Sequence, residues 1–275
     1  MLLAQVLLDR RGHSPGVLDG YPGGNTTRAI KAYQKSHGMK EDGAIDAELL
    51  RKLTGDTTKP ILSSYKITSK DVAGPFKAVP STMAAMADRD ALGYASPEEM
   101  LAERFHMSPG LLRALNPDTD FKQADTEVLV VAKHSESPLA AVRRIEVDKA
   151  NAEVRAYGES DKLLATFPAT VGSSDFPSPS GTMKVNAIAA KPNYSFQPDD
   201  QKWGGDTSLT LPPGPNNPVG STWIDLGKEG YGIHGTPEPS KIGKTASHGC
   251  VRLTNWDAAV LAKAVIPGKT EVVFN

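Results

Sequence analysis

Residues 231–236 have the sequence Tyr-Gly-Ile-His-Gly-Thr, and residues 247–253 have the sequence Ser-His-Gly-Cys-Val-Arg-Leu. The two stretches contain the single cysteine of the chain together with two histidines and an arginine. A thiol with its ordinary pKa of about 8.5 is only a few per cent thiolate at neutral pH, so a cysteine nucleophile needs a nearby base or cation. His234 precedes Cys250 by 250 − 234 = 16 residues, and the polar connection lets the chain turn back. The two residues could therefore meet on adjacent strands.

Three neighbours of Cys250 in the second stretch could assist it. Residues i and i+2 of an extended segment project to the same side, so His248 and Arg252 each flank the cysteine on one face. Arg252 could bind a substrate carboxylate or lower the pKa of the thiol. Gly249 allows a tight backbone and a close approach of substrate, and main-chain amides at this point could hold an oxyanion. Either His234 or His248 could supply the base.

The cysteine has three interpretations. A lone cysteine is usually a small buried apolar residue, and the histidines would then be hydrogen-bonded parts of the structure. His234, His248 and Cys250 could instead ligate zinc, with a water in the fourth position. Ligands at i and i+2 are atypical, however, and no carboxylate has an obvious metal-site spacing. The clustering of the three residues favours the third interpretation, a nucleophile of acyl transfer.

A family resemblance is carried by the runs His234-Gly235-Thr236 and Ser247-His248-Gly249-Cys250-Val251-Arg252. Together they resemble the signature of the L,D-transpeptidase catalytic domain, the YkuD family. Residues 211–220, which precede the two runs along the chain, and Trp223-Ile224 after them are similar to the corresponding segment of envelope-associated members of the family. The likeness extends over roughly residues 140–275 and implies a β-sandwich-like fold with no metal or other cofactor.

The resemblance implies the roles of the catalytic residues. Cys250 would be the nucleophile and His234 the general base. The backbone carbonyl of Gly235 would orient His234, because glycine offers no hydroxyl for this purpose. The oxyanion site would be shaped by His248, Gly249 and the Cys250 amide, with Ser247 in support.

The resemblance also implies how substrate is held. Arg252 would bind the donor peptide, and residues 191–220 would form a lid over the donor cleft. The other expected substrate contacts are Tyr194, Phe196, Trp203 and Tyr231.

The implied reaction has two steps. The thiolate attacks the carbonyl of the third residue of a peptidoglycan stem tetrapeptide, a diamino acid, and expels the terminal D-alanine. The side-chain amine of another stem peptide captures the thioester and gives a 3→3 cross-link. Water as acceptor would make the enzyme an L,D-carboxypeptidase, and an envelope protein's lysine would make it an attachment enzyme. A wall-binding scaffold with an idle site is a further alternative.

Residues 139–275 have the pattern of a β domain. Runs of β-forming residues between polar turns predict strands at 143–147, 153–157, 163–171, 181–189, 221–226 and 271–274. One helix is predicted over 255–265, with Thr254 as its N-cap. The connection 191–220 is rich in Pro, Asn, Asp and Gly, and a connection of this length is uncommon in a compact domain unless it is a lid or a binding loop. The pattern therefore predicts a β-sandwich or barrel with one helix.

Residues 1–54 are predicted to form a small three-helix domain. A helix around residues 26–34 would place Ala29, Ile30 and Tyr33 on one stripe, with Asn25 or Thr26 as its cap. The segment resembles the peptidoglycan-binding domain found beside cell-wall enzymes. The matching positions are Leu18-Asp19-Gly20, Gly24, Thr27, Ala29-Ile30, Tyr33-Gln34 and Asp42-Gly43.

Residues 55–138 are predicted to contain a strand at 65–68, two short helices and a strand at 127–131. Ser96-Pro97 and Ser108-Pro109 are typical helix starts, and Glu99 stands at the capping-box position. This order resembles a LysM module, which binds glycan chains, and residues 102–117 carry the likeness. Residues 72–93 would be an insertion relative to a minimal LysM. The whole chain is thus predicted to be a multidomain α+β protein.

The composition excludes several classes of function. A net charge of −1 gives no general attraction to nucleic acid, and no apolar run is long enough to span a membrane. The apolar start, residues 1–8, is short and is interrupted by Asp9-Arg10-Arg11, so it is not predicted to be a secretory signal. The resemblance implies a monomer in the periplasm or cell envelope, with stem tetrapeptides and glycan strands as partners.

Overall fold

The computed structural model describes residues 1–55, 58–132, 138–198 and 206–275. The helices are α1 (Leu2–Arg10), α2 (Gly24–Ser36), α3 (Ala47–Thr54), α4 (Ser69–Val72), α5 (Met83–Ala87), α6 (Pro97–Arg104), α7 (Pro109–Leu115) and α8 (Asn255–Ala264). The strands are β1 (Leu62–Lys66), β2 (Glu127–Val131), β3 (Arg144–Asp148), β4 (Glu153–Tyr157), β5 (Leu163–Pro168), β6 (Gly181–Lys184), β7 (Ala187–Ala190), β8 (Tyr194–Phe196), β9 (Leu209–Leu211), β10 (Thr222–Asp225), β11 (Gly232–His234), β12 (Val251–Arg252) and β13 (Glu271–Phe274). None of the described helices has the length and apolar character needed to cross a membrane.

The N-terminal region consists of α1, α2 and α3 packed around a small apolar core. The predicted stripe of α2 is buried there: Ala29, Ile30 and Tyr33 are at most 2% exposed. The predicted cap of α2 is wrong, because the N-cap is Gly23 and makes no side-chain cap bond. Asn25 lies inside the helix, and its side chain donates instead to the carbonyl of Ile242 in the C-terminal region.

The middle region pairs β1 with β2 in antiparallel register. Its two main helices begin as predicted, since the hydroxyls of Ser96 and Ser108 accept hydrogen bonds from the third amide of α6 and α7. The first strand, however, begins three residues and ends two residues earlier than predicted. Thr68 is not part of it, because its hydroxyl caps α4 by accepting from the Asp71 amide. This region shares α1 with the N-terminal core, since Val6 belongs to the middle hydrophobic cluster and Leu7 to the N-terminal one.

The C-terminal region consists of two sheets and one helix around a common core. The five-stranded sheet has the order β5-β4-β3-β13-β6, and the four-stranded sheet has the order β12-β11-β10-β7. Ile145 and Val154 of the first sheet share one hydrophobic cluster with Ile224 and Ile233 of the second, and Leu261 of α8 belongs to it as well. This β-sandwich-like arrangement with one helix agrees with the predicted β-rich domain.

One sequence prediction in this region needs correction. The strand predicted over 181–189 is two strands in different sheets, because the chain crosses between them at Val185, which is fully buried in the shared core. The connection 191–220, the predicted lid, contains an antiparallel hairpin formed by β8 and β9. Trp203, a predicted substrate contact in this connection, lies outside the described residues.

Candidate active site

The stretches 231–236 and 247–253 contribute two adjacent parallel strands. Ile233 and His234 of β11 pair with Val251 and Arg252 of β12, and Cys250 comes immediately before β12. His234 and Cys250 both line a cleft of about 590 Å³. The structure therefore brings the predicted nucleophile and the predicted base to one cavity. The other residues lining it are Met83, Ala189, Pro192, Asn193, Tyr194, Ser195, Pro218, Val219, Trp223, Gly230, His248 and Arg252.

His234 is buried and held from two sides. Its Nδ1 lies 2.7 Å from the carbonyl oxygen of Gly235, which can only accept, so this nitrogen carries the proton and donates. Its ring stacks on Trp223 of the neighbouring strand at 5.3 Å between centroids and 17° between planes. Only 3% of the residue is exposed. The sequence predicts the contact of His234 with Gly235. It does not predict that the ring of His234 stacks on Trp223.

The turn before Cys250 is fixed by two serine hydroxyls. Ser247 Oγ donates to the carbonyl of Cys250 at 2.6 Å and accepts from the Gly249 amide at 3.2 Å. Ser178 Oγ donates to the Gly249 carbonyl at 2.8 Å. Since the Gly249 amide is already occupied, the amide of Cys250 itself is the better candidate for stabilising an oxyanion. Ser178 precedes Cys250 by 250 − 178 = 72 positions, and no local pattern indicates its role.

Gly249 has a conformation that disfavours other residues. Its φ is +116°, and a Cβ there would lie 3.0 Å from Cε1 of Tyr231. Tyr231 in turn has the Lys228 ammonium 4.4 Å from its ring centroid. Tyr231 thus packs against the turn that carries Cys250 and is not among the residues lining the cleft.

The predicted substrate contacts separate into two groups. Arg252 and Tyr194 line the cleft with Cys250, as does His248, which is predicted to support the oxyanion site. Phe196 does not, because it is fully buried (0% exposed) in the packed side of the hairpin. The expectation that Phe196 contacts substrate is therefore wrong for this structure, and its apolar ring is better explained as a core residue.

Burial and the charge of Arg252 both affect the pKa values of His234 and Cys250. Burial lowers the pKa of His234 to about 4, and the positive charge of Arg252 acts in the same direction, while backbone hydrogen bonds to Gly235 and Val219 act in the opposite direction. Burial raises the pKa of the Cys250 thiol, against the smaller lowering effects of the Gly232 backbone and Arg252. At neutral pH the resting pair is therefore a neutral imidazole and a thiol. The Cys250 Sγ donates to the Gly230 carbonyl at 3.2 Å.

This protonation state predicts how Cys250 reacts with an alkylating reagent. Because the thiol pKa is raised and the His234 pKa is lowered, no thiolate–imidazolium pair forms near neutrality. The rate of carboxamidomethylation by iodoacetamide, followed by intact mass, should be slow at pH 6 to 7 and should still increase above about pH 8.5, the ordinary thiol value. A plateau reached below pH 7 would contradict the prediction, since it would require a thiolate stabilised by charged His234.

Asn255, the first residue of α8, holds the main chain just after His234, the last residue of β11. It is 2% exposed, and its Oδ1 accepts from the amides of Ser221 at 3.2 Å and Thr236 at 3.1 Å. Its Nδ2 donates to the carboxylate of Glu103 in α6 at 3.1 Å. A buried amide with its bonds satisfied fixes its neighbours, and removing it leaves each of those groups unpaired. The middle region thus contacts the catalytic strands through this side chain.

Among the described residues, no group of three or more His, Cys, Asp or Glu is arranged to hold a metal ion.

Comparison with known proteins gives matches over both ends of the chain. The family described as the L,D-transpeptidase catalytic domain, YkuD, matches residues 142–274, and a peptidoglycan binding domain matches residues 1–53. A relative from Bacillus licheniformis, named as L,D-transpeptidase YkuD, is 29% identical over 63% of this chain and 90% of its own length. One from Bacillus subtilis, named as L,D-transpeptidase YqjB, is 30% identical over 50% of this chain and 74% of its own length.

A solved structure is also similar to this chain. It is an L,D-transpeptidase from Mycobacterium smegmatis, 18% identical, with a TM-score of 0.40 over 55% of this chain and 63% of that one. The chain belongs to the L,D-transpeptidase family, with a YkuD catalytic domain preceded by an N-terminal peptidoglycan-binding domain.

Proposed function

We propose that this protein forms 3→3 cross-links in peptidoglycan through a thioester on Cys250. The observation that supports this most strongly is the composition of its cleft, where a thiol, a buried neutral imidazole and an arginine lie together. In the first step the S–H leaves the Gly230 carbonyl, His234 accepts the proton, and sulfur attacks the carbonyl of the third stem residue. The C–S bond forms first and gives a tetrahedral intermediate. The bond to the terminal D-alanine then breaks, and His234 returns the proton to the departing amine.

Arg252 is the residue best suited to bind the donor. Its Nε is buried and has no hydrogen-bond partner among the described residues, and its side chain lines the cleft beside Cys250. A guanidinium binds a carboxylate with two parallel hydrogen bonds, and the donor stem ends in the carboxylate of D-alanine. Burial is the main cause of the low pKa of His234, and the charge of Arg252 adds to it, so such a pair would offset the smaller of the two effects. Donor binding would therefore make His234 a stronger base at the moment when it is needed.

The oxyanion of the tetrahedral intermediate would be held by the amide of Cys250. The turn is pre-arranged for this by Ser247 and Ser178, which fix the carbonyls of Cys250 and Gly249. A fixed donor costs no reorganisation as charge develops on the carbonyl oxygen. His248, which is exposed and lines the same cleft, would contact the substrate from its open side.

The regions before the catalytic domain would hold the enzyme on its polymeric substrate. The peptidoglycan-binding domain supplies one contact, and the antiparallel β1–β2 pair with α6 and α7 supports a LysM-like origin for the middle region. Weak attachment to an insoluble polymer raises the effective concentration of its stem peptides. The reaction needs no nucleotide, because the thioester keeps the energy of the cleaved bond, and it therefore suits a periplasmic location.

The proposed reaction is tested by incubating the purified protein with isolated wall sacculi and analysing the released muropeptides by mass. We expect new dimers joined between two diamino acid residues, with one D-alanine released for each dimer. Tripeptides without dimers would show that water is the acceptor and would replace the proposal with an L,D-carboxypeptidase. Unchanged muropeptides together with sedimentation on sacculi would show a wall-binding scaffold.

A further inference from the structure

Met83 of the middle region lines the same cleft as Cys250, His234 and Arg252. It lies in α5, inside the segment predicted to be an insertion relative to a minimal LysM. We propose that residues 73–93, here called the strap, form a fixed wall of the catalytic cleft, and that Met83 limits the size of the group that reaches Cys250. The identity of that group as a stem peptide rests on the proposed function, whereas the wall itself does not.

The strap is fastened to the catalytic domain at its C-terminal end. The amide of Leu92 donates to the carbonyl of Pro213 at 3.0 Å, and the amide of Asn216 donates to the carbonyl of Leu92 at 3.0 Å. The side chain of Asn216 donates to the Gly93 carbonyl at 3.0 Å and to the Glu99 carboxylate at 2.9 Å. Leu92 and Asn216 are buried, at 2% and 5% exposure. Buried hydrogen bonds of this kind are costly to break, so the strap is held in place.

Gly214 shows how closely the two segments approach. A Cβ at this position would lie 2.1 Å from the carbonyl oxygen of Leu92 and 2.4 Å from its carbonyl carbon. Its φ of +150° also disfavours a side chain. The catalytic domain thus carries a glycine where the strap crosses it, and only glycine leaves room for that crossing.

The part of the strap that reaches the cleft is the short helix α5. Thr82 caps this short helix by accepting from the Ala85 amide, and the helix contacts β9 of the lid hairpin. Met83 faces the cleft, whereas Met86, three residues later on the same helix, does not line it. Since β9 pairs with β8, which carries Tyr194 at the cleft, the strap and the lid hairpin form one continuous boundary.

Met83 extends the apolar part of the cleft. The cleft has four other apolar lining residues, Ala189, Pro192, Pro218 and Val219. Their side chains carry no charge and form no hydrogen bonds. Such a surface discriminates by shape, and a side chain with three rotatable bonds fills the space it faces. Specificity of this kind changes rates by about tenfold or more when a few methylene groups are added or removed. The strap would therefore select among acyl groups and acceptors by size and leave the chemistry of Cys250 unchanged.

The single thiol of the chain allows a direct test with the full-length protein. The rates of alkylation by a small reagent, iodoacetamide, and by a bulky one, fluorescein maleimide, are measured by intact mass. In Met83→Ala we expect the ratio of bulky to small rates to rise about tenfold, and in Met83→Trp we expect it to fall by a similar factor. Met86→Ala is the matched control, with the same residue type on the same helix, and its ratio should equal that of the unmodified protein.

The same variants are then assayed with soluble tetrapeptide donors, where the wall predicts a change in KM with a smaller change in kcat. The proposed wall is contradicted if Met83→Ala, Met83→Trp and Met86→Ala all give the same ratio of bulky to small alkylation rates. This holds whether or not that shared ratio differs from the ratio of the unmodified protein. Alkylation does not require peptide transfer, so the ratios remain informative if the protein makes no cross-links. In that case the proposed function fails and the wall stands, whereas active protein with unchanged ratios would overturn the wall and leave the proposed function intact.

Discussion

Replacing Cys250 with alanine is expected to lower D-alanine release from a stem tetrapeptide by at least about a thousandfold, because removal of a catalytic nucleophile leaves only binding and oxyanion contributions. The fold should persist. The turn is held by Ser247 and Ser178 through main-chain carbonyls, and Sγ itself donates only one hydrogen bond, to Gly230. Thermal unfolding within a few degrees of the unmodified protein would show that the loss is chemical.

Cys250→Ser is the sharper control for this prediction. A serine hydroxyl can still donate to the Gly230 carbonyl, and it adds no volume to the cleft. It is a much weaker nucleophile than a thiol, so this variant should also lose release of D-alanine while retaining binding of the donor. Continued release by both variants, measured by mass of the shortened peptide, would show that another residue attacks the substrate.

The meeting of His234 and Cys250 in one cleft was predictable from the sequence because its signals are local. His234 and Cys250 lie in two short stretches whose order along the chain indicates the site, and the glycine after the histidine leaves only a carbonyl to orient it. The helix starts at Ser96, Ser108 and Thr254 were predictable for the same reason, since a cap acts on amides two or three residues away.

The supporting residues were not predictable because tertiary packing brings them to the site. Ser178, Asn255 and Met83 each come from a separate segment, and none of them stands in a pattern that indicates a role. The orientation of the aromatic side chains of β8 was not predictable either. Tyr194 and Phe196 are two residues apart, yet one lines the cleft and the other is completely buried. Composition predicts that this loop covers the site, but only the hairpin's packing decides which aromatic ring lines the cleft.

The strap changes the interpretation of the middle region. From the sequence, residues 72–93 are an insertion in a glycan-binding module. Contacts of this segment with Pro213, Gly214 and Asn216 instead join it to the catalytic domain, while Glu103 reaches the catalytic strands through Asn255. A region with both connections is expected to unfold together with the catalytic domain, because neither set of buried bonds survives separation.

Replacing His234 with alanine is expected to reduce thioester formation by about a hundredfold to ten-thousandfold, the usual contribution of a general base. His248→Ala should cost less than about tenfold, because His248 is exposed whereas His234 is buried. The measurement is the rate of acyl-enzyme formation on Cys250, followed by intact mass. His234 is buried against Trp223, so its alanine variant will also lose stability, and thermal unfolding must be recorded beside the rate.

His234→Gln separates catalysis from packing in the same experiment. Glutamine fills more of the space beside Trp223 than alanine does, and its amide can donate to the Gly235 carbonyl, but it cannot accept a proton from the thiol. We therefore expect His234→Gln to regain part of the stability lost in His234→Ala and none of the acylation rate. If His248→Ala proves slower to acylate than His234→Gln, the base is His248, and the buried imidazole is a structural support for the strand that carries Gly235. Recovery of acylation in step with stability would instead show that His234 acts only through packing.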